Sequence, residues 1–406
     1  MKKLFLLLFI ASKIIFAQDS LSLSQAIEQA LKNSDSLNIA KEKINQSYAD
    51  KMLSQSFLWP KLSMKSFIGS DLNKDFMKNA HLTMGGNLEY SLINPSLWLK
   101  AMQNNQLFHK EQKNFDLALD LFVKEVAESY LEVLSYQTNF SSLLEQIEQL
   151  EKTLITAKAK KEVGLIKPTD YMLVKYKLLD AQANKDREEA LYQKSLAKLN
   201  FLLKENKSFK VDFPTIKEDI LFEASLVSSK LESLKKELSA SEYGLQANYW
   251  EYFPKINLEI GVGKKWPFNK PLESSIGLSL TMPIFGGFDR LSRIVWQKSE
   301  INIKKISYEQ EINNVKTDIT IYKQELELAK KSRENFKQAL DLAENILTTS
   351  KRLFEVSQID SLELVMAHNN FLTANKAYLQ ACISIKKILI NLLFITGKIT
   401  KTGYIF

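Results

Sequence analysis

The sequence predicts a mainly α-helical fold with a β-barrel segment, written as two structural repeats. Each repeat combines a barrel-contributing β-hairpin with long coiled-coil-like helices. Three observations carry this reading. The first is where turn-forming residues fall. The chain has 406 residues, of which 12 are Gly and 8 are Pro. Fourteen of these 20 lie within 59–95 and 253–288, and none lies within 96–163 or 289–396. Loops and tight turns draw on these residues, so the blank stretches read as helices without interruption. A compact enzyme with many short connections is disfavoured. The second observation is an internal repeat. Trp59-Pro60-Lys61-Leu62 returns as Phe253-Pro254-Lys255-Ile256, 194 residues later, and Val163-Gly164-Leu165-Ile166 aligns with Val356-Ser357-Gln358-Ile359, 193 residues later. The third is strict apolar/polar alternation inside the two Gly/Pro windows.

Composition narrows the function classes. Hydrophobic residues make 45% and charged residues 25% of the chain, enough to bury a core. The net charge is +8, but Lys and Glu interleave along the helical stretches and form no basic face, so nucleic-acid binding is not expected. Cys382 is the single cysteine, which allows no intrachain disulfide and no multi-cysteine metal site. His81, His109 and His368 are scattered. No metal site, cofactor or catalytic constellation is expected, and the chain does not read as an enzyme.

The elements follow in order. Residues 1–17 read as a secretory signal peptide: Met1-Lys2-Lys3 is basic, 4–16 is apolar apart from Ser12 and Lys13, and Ala17 offers a cleavage residue. The run is shorter than the roughly 20 residues of a spanning helix, and no later stretch reads as apolar enough to cross as one. The first repeat, 18–210, is expected to hold a helix (23–57), two strands (61–70 and 81–93), a long helix (96–163) and a returning helix (169–204). The second, 211–397, repeats the order: a helix (215–250), strands 255–264 and 275–284, a long helix (289–356) and a returning helix (361–393). A tail, 398–406, follows. Within the long helices Phe122, Val126, Val133 and Leu150 recur as Val315, Ile319, Leu326 and Ala343, on alternating steps of three and four. Such a stripe predicts left-handed coiled-coil packing. A 68-residue helix rises roughly 100 Å at about 1.5 Å per residue. The two shorter helices of a repeat, placed end to end, would match it. Gly164 and Pro168 permit reversal after the first long helix. The second repeat lacks both and has Asp360 or Ser361 available as a cap.

In the strands, Leu82, Met84, Leu88, Tyr90 and Leu92 share one face, opposite Thr83, Gly85, Asn87, Glu89 and Ser91. Ile256, Leu258, Ile260 and Val262 likewise oppose Asn257, Glu259, Gly261 and Gly263. Two readings fit: a half-buried antiparallel sheet in a soluble domain, or lipid outside and water inside, as in a transmembrane barrel. The strand length of about ten residues suits a tilted crossing. Trp59, Trp98, Trp250 and Trp266 lie at or near strand ends, where an aromatic girdle would sit. Four strands cannot close a barrel and open edges are forbidden in lipid, so spanning would require oligomerisation.

The order of motifs resembles the TolC family of outer-membrane efflux proteins, over about residues 21–397. The residues that carry the resemblance are 23–33 (LSQAIEQALKN), the two Pro-Lys pairs before the strands, Pro283-Ile284-Phe285-Gly286-Gly287 after them, and Val163-Gly164-Leu165-Ile166 through Asp170. The resemblance implies a homotrimeric α/β-barrel tunnel: twelve strands in the outer membrane continued by a periplasmic tunnel of helices. It implies a passive channel that docks a periplasmic adaptor (membrane fusion protein) and an inner-membrane pump of RND or ABC type, for efflux or type I secretion. It places adaptor docking at the hairpin tips, on Gly164, Leu165, Ile166 and Asp170 and on Val356, Ser357 and Ile359. It places a pore constriction at Asp170, Phe354 and Glu363. A carboxylate repeated by threefold symmetry favours cations; the same acids would also suit helix starts. The sequence departs from the family at Ser357, where a tip glycine is usual, and at Ile359, where some members carry a basic residue. The alternative reading is a periplasmic coiled-coil scaffold without a channel.

Overall fold

The computed structural model describes residues 20–69, 81–207, 209–216, 218, 228–265, 271–356 and 358–400. The signal sequence, Trp266, Ser357 and residues 401–406 lie outside them. The described residues fall into two compact units. One draws on the described residues within 1–35, 119–225 and 315–406, the other on those within 36–118 and 226–314.

The chain opens with a two-residue strand, β1 (Ser20–Leu21), then α1 (Leu23–Asn33) and α2 (Asp35–Ser54). A 3₁₀ turn (Ser56–Leu58) leads to β2 (Lys61–Gly69) and β3 (His81–Ile93). The long helix α3 (Pro95–Glu162), the returning helix α4 (Pro168–Leu203) and a second short strand β4 (Lys210–Val211) complete the first half. The second half runs α5 (Ser229–Trp250), β5 (Lys255–Lys265), β6 (Glu273–Thr281), α6 (Asp289–Glu355) and α7 (Ser361–Ile395).

Three boundaries, and the hydropathy of one helix, differ from the sequence expectation. The opening helix is not continuous over 23–57. It breaks at Ser34, which is 5% exposed and extended (φ −72°, ψ 118°). There the Asn33 amide donates to Leu203 O at 3.4 Å, and Lys204 Nζ pairs with Asp35 Oδ1 at 2.6 Å, so the end of α4 occupies the break. The first helix of the second half begins at Ser229, not 215. Ile216 is 2% exposed and its carbonyl accepts from Lys386 Nζ at 2.8 Å instead of from a helical N–H. The last strand stops at Thr281, before Pro283, which has no N–H for a ladder. Finally, α7 is long and apolar enough to cross a membrane by length and composition, contrary to the expectation that no later helix would be. Its apolarity is used internally: Ile383, Ile385, Leu389, Ile390, Leu392 and Leu393 are at most 1% exposed. Lys386, on the same helix, is paired with Glu218 at 3.3 Å.

The repeat is visible in the helix ends. After α3, Gly164 adopts φ +76°, and Leu165 N donates to Lys160 O at 2.8 Å. This is the six-to-one bond of a left-handed C-terminal cap. The same bond recurs 193 residues on, from Gln358 N to Leu353 O at 2.9 Å. The returning helices match too. Lys204 (φ 53°) and Gly397 (φ 61°) are left-handed, with Glu205 N bonded to Asn200 O and Lys398 N to Leu393 O. Each half therefore has glycine at one of its two helix stops.

In the first unit, β1 and β4 pair in parallel, Ser20 with Lys210 and Leu21 with Val211. Tyr130 of α3 is fully buried, its hydroxyl 2.7 Å from Leu21 O and 2.8 Å from Asp212 O. Gln137, two turns on, donates from Nε2 to Val211 O at 3.0 Å and accepts Val211 N–H at 2.9 Å. Its side-chain amide thus completes the outer side of β4. Farther along, Glu218 takes two bonds from Arg333 NH1 (2.8 and 3.0 Å) and one from Lys386 Nζ. Partial burial alone would raise its pKa. The hydrogen bonds from Arg333 and the charge of Lys386 outweigh that and hold it below the usual carboxylate value.

In the second unit, Lys113 of α3 meets Glu232 of α5 at 2.8 Å, and Glu237 of α5 is shared by Lys110 of α3 and Lys304 of α6. Gly244 sits against α3: a Cβ there would come within 2.9 Å of the Gln103 amide. A side chain at 244 would require the flexible Gln103 side chain to shift.

Candidate functional site

The sheet, in the second unit, is antiparallel with strand order β2-β3-β5-β6. Its register aligns like with like. Leu62, Leu88, Ile260 and Ile276 form one row across the four strands, and Tyr90, Leu258 and Leu278 form another. On the opposite face lie Lys61, Glu89, Glu259 and Gly277, then Ser63, Asn87, Gly261 and Ser275. Ser279 Oγ donates to Glu259 Oε1 at 2.8 Å. Successive side chains of a strand point to opposite faces, so one face is largely apolar, interrupted by Ser66, Gly86 and Lys264, and the other is mostly polar or small apart from Phe67. The hydrocarbon is uncovered within the chain: Leu62 is 80% exposed and Ile276 74%. Beyond β2 and β6 no further strand pairs among the described residues. Aromatic residues collect at the strand bases, where Trp98 packs edge-on against Phe57 at 5.2 Å and Trp250 lies tilted against Phe253 at 4.9 Å.

The hairpin tips belong to the first unit. Behind them Leu150 of α3, Leu178 and Ala181 of α4 and Val365 of α7 form a buried cluster, backed by Ile147 and Leu154. At the first tip, Pro168 occupies the first helical turn, and Asp170 Oδ2 accepts Lys167 N–H at 3.3 Å while Oδ1 accepts from Thr169 Oγ1. Both Asp170 oxygens are thus engaged at a helix start. Leu165 is 73% exposed, whereas Ile166 is half-buried. At the second tip, Asp360 caps α7 by accepting Glu363 N–H on Oδ1 at 2.8 Å. Ser361, the other candidate cap, is buried and its hydroxyl has no partner among the described residues. Val356 is exposed, Ile359 half-buried, and the Glu363 side chain is exposed. Ser357 is outside the described residues.

The two tips meet through a contact that no local spacing announces. Lys160 Nζ of α3 lies 4.3 Å above the Phe354 ring of α6, and Lys161 Nζ lies 4.8 Å above Tyr171 of α4. Cations over ring faces at such distances are attracted by the ring quadrupole. Sequence reasoning identified Phe354 but missed both lysines, because their partners are fixed by tertiary packing. Among the described residues, no group of three or more His, Cys, Asp or Glu side chains is placed to hold a metal.

A four-stranded sheet with one apolar and one polar face, carried by two helical hairpins that repeat in one chain, is the fold of TolC-type outer-membrane channels. Solved structures bear this out over nearly the whole chain. The Campylobacter jejuni outer-membrane channel CmeC superposes with a TM-score of 0.83 at 16% identity, covering 93% of this chain and 85% of its own. The Vibrio cholerae outer-membrane protein VceC gives 0.82 at 14% identity, covering 92% and 96%. The open state of the Neisseria gonorrhoeae MtrE channel gives 0.80 at 16% identity, covering 92% and 88%. No protein-family model matches the sequence, and no curated protein matches it. The fold is shared at a sequence identity of 14–16%.

Proposed function

We propose that this chain is the outer-membrane exit duct of a tripartite efflux or type I secretion system, a passive homotrimeric channel that extends into the periplasm. The observation that carries the reading is the sheet. Its apolar rows face outward to lipid, its Lys61/Glu89/Glu259 and Ser63/Asn87/Gly261/Ser275 rows face water, and both outer strands lack a partner in the chain. Backbone groups at an open edge have no hydrogen-bonding partner in hydrocarbon. Three copies pairing β2 to β6 remove every edge and give an even, twelve-stranded barrel.

The tips supply the periplasmic end. Leu165 and Val356, both well exposed, together with Gly164, Ile166, Ser357 and Ile359, dock a periplasmic adaptor that joins the duct to an RND or ABC pump. Glu363 gives the constriction its charge, Phe354 lines it beneath Lys160, and Asp170 fixes the start of α4 beside it.

The test is conduction. The purified trimer should fractionate with outer membranes and form pores in planar bilayers. Cysteine at Leu258 should react with lipid-soluble reagents, and cysteine at Asn257 with water-soluble ones. A folded monomer soluble without detergent would remove the reading. Glu363→Gln should lower cation preference and relieve block by multivalent cations. An unchanged reversal potential and unchanged block would take Glu363 out of the pore while leaving the duct intact.

A further inference from the structure

Between the two hairpins, close behind the tips, lies a crevice of about 110 Å³. Its walls come from α3, α6 and α7, and its lining divides sharply by chemistry. Leu150, Leu364 and Val365 make an apolar wall; Lys351 and His368 stand in the polar part, with Thr153 beside them. The Thr153 hydroxyl is already committed to Gln149 O at 2.9 Å, and Asn369 Oδ1 accepts from Gln146 at 2.8 Å.

The two basic groups are the unusual feature. His368 is 7% exposed and makes no hydrogen bond among the described residues. Lys351 has no ion-pair partner among them either. From α3 the crevice receives only Gln149, Leu150 and Thr153, and from α7 only uncharged side chains besides His368, so Lys351 is the charged group that lines it and no carboxylate does. Burial first, and the Lys351 charge second, push the His368 pKa below its ordinary 6.5. The exposed Lys351 ammonium and the His368 imidazole line the same crevice, and no carboxylate lines it with them. An anion seated between the two would pair with the ammonium and favour the protonated imidazole.

We propose that this crevice is a binding site for a small monocarboxylate with a compact apolar body, its carboxylate held between Lys351 and His368 and its body against Leu150, Leu364 and Val365. The volume is of the order that holds a single benzene-sized group. The acid would contact α3 of the first hairpin together with α6 and α7 of the second, so its binding ties the two hairpins together just behind the tips. Because a bound carboxylate favours the imidazolium, binding takes up a proton and weakens as pH rises through the histidine range.

The experiment uses benzoate as the probe on the full-length detergent-solubilised protein, by calorimetry and by NMR of the labelled histidines. Saturable binding that raises the His368 pKa is expected. Lys351→Gln and His368→Gln should each weaken it at least about tenfold, as loss of one charge-assisted hydrogen bond does. Thr153→Phe, which fills the space and keeps both basic groups, should abolish it. Benzyl alcohol tests the body without the charge and acetate the charge without the body; both should bind at least about tenfold more weakly than benzoate. The proposal is overturned by benzoate binding unchanged in Lys351→Gln or in Thr153→Phe, by benzyl alcohol binding as tightly, or by no saturable binding to wild type. Helical circular dichroism of each variant separates lost binding from lost fold. Bilayer conductance is read on the same samples, so a failed site and a failed duct give different results.

Discussion

The two long helices share a stripe and differ beside it. Phe122, Val126, Val133 and Leu150 of α3 are buried, and so are their counterparts 193 residues on, Val315, Ile319, Leu326 and Ala343 of α6. That shared seam is what duplication preserved. The adjoining face diverged. In α3 it carries Val123, Ala127, Tyr130, Leu131 and Leu134, all at most 3% exposed. In α6 the same register carries Lys316, Thr320, Lys323, Gln324 and Glu327, all exposed. The cause is local: in the first half, Tyr130 of this face reaches the ribbon formed by β1 and β4. A period of 3.5 thus records how a helix packs in every copy, while the residues flanking the stripe record what one copy additionally covers.

The sharpest way to break the comparison is to exchange residues across it. Leu131→Gln places an unpaired amide in a fully buried site and should cost about 3–5 kcal/mol, whereas Gln324→Leu should change stability by less than about 0.5 kcal/mol. Thermal unfolding followed by circular dichroism reads both. If the two exchanges cost the same, the faces are not different in kind. Within the seam the halves should agree: Val126→Ala and Ile319→Ala should each cost about 2–4 kcal/mol, and a large gap between them would mean that the stripe is no longer equivalent. At the helix stops, Gly164→Ala puts a side chain at φ +76° and should cost about 1 kcal/mol. The smallest effect is a slope with pH. Glu218 has its pKa held down in the folded chain, so its contribution is complete above the unfolded value of about 4.5 and is lost as pH falls through the folded value. Glu218→Gln should flatten that acid limb, and an unchanged limb would remove Glu218 as its source.

Much of the fold was legible because its signals are local. The absence of Gly and Pro from 96–163 marks α3 almost to the residue, the blank stretch 289–396 covers α6 and α7 together without marking the break between them, and strand alternation marks the two faces of the sheet. Two of the helix boundaries that sequence reasoning missed are decided at long range. Ser34 interrupts the opening helix where Leu203 and Lys204 pack against it. Ile216 stays extended where Lys386, 170 residues later, takes its carbonyl. At the tip, Asp170 and Glu363, singled out by family resemblance, stand in the first turns of α4 and α7, and Lys160 meets Phe354 only after both hairpins have formed.

One contact carries a further meaning. Gln137 closes the outer side of β4 with its side-chain amide, donating and accepting at Val211 as a neighbouring strand would. An amide on a helix has a fixed bearing around the helix axis, whereas a strand can slide. One helical position turns through about 100°, so even a fraction of that rotation in α3 would carry the amide off Val211. The ribbon that holds the start of the described chain therefore works as a gauge of the angular setting of α3. The second half has Lys330 at the equivalent position, a side chain that donates but cannot accept, so it cannot make the same two-way contact.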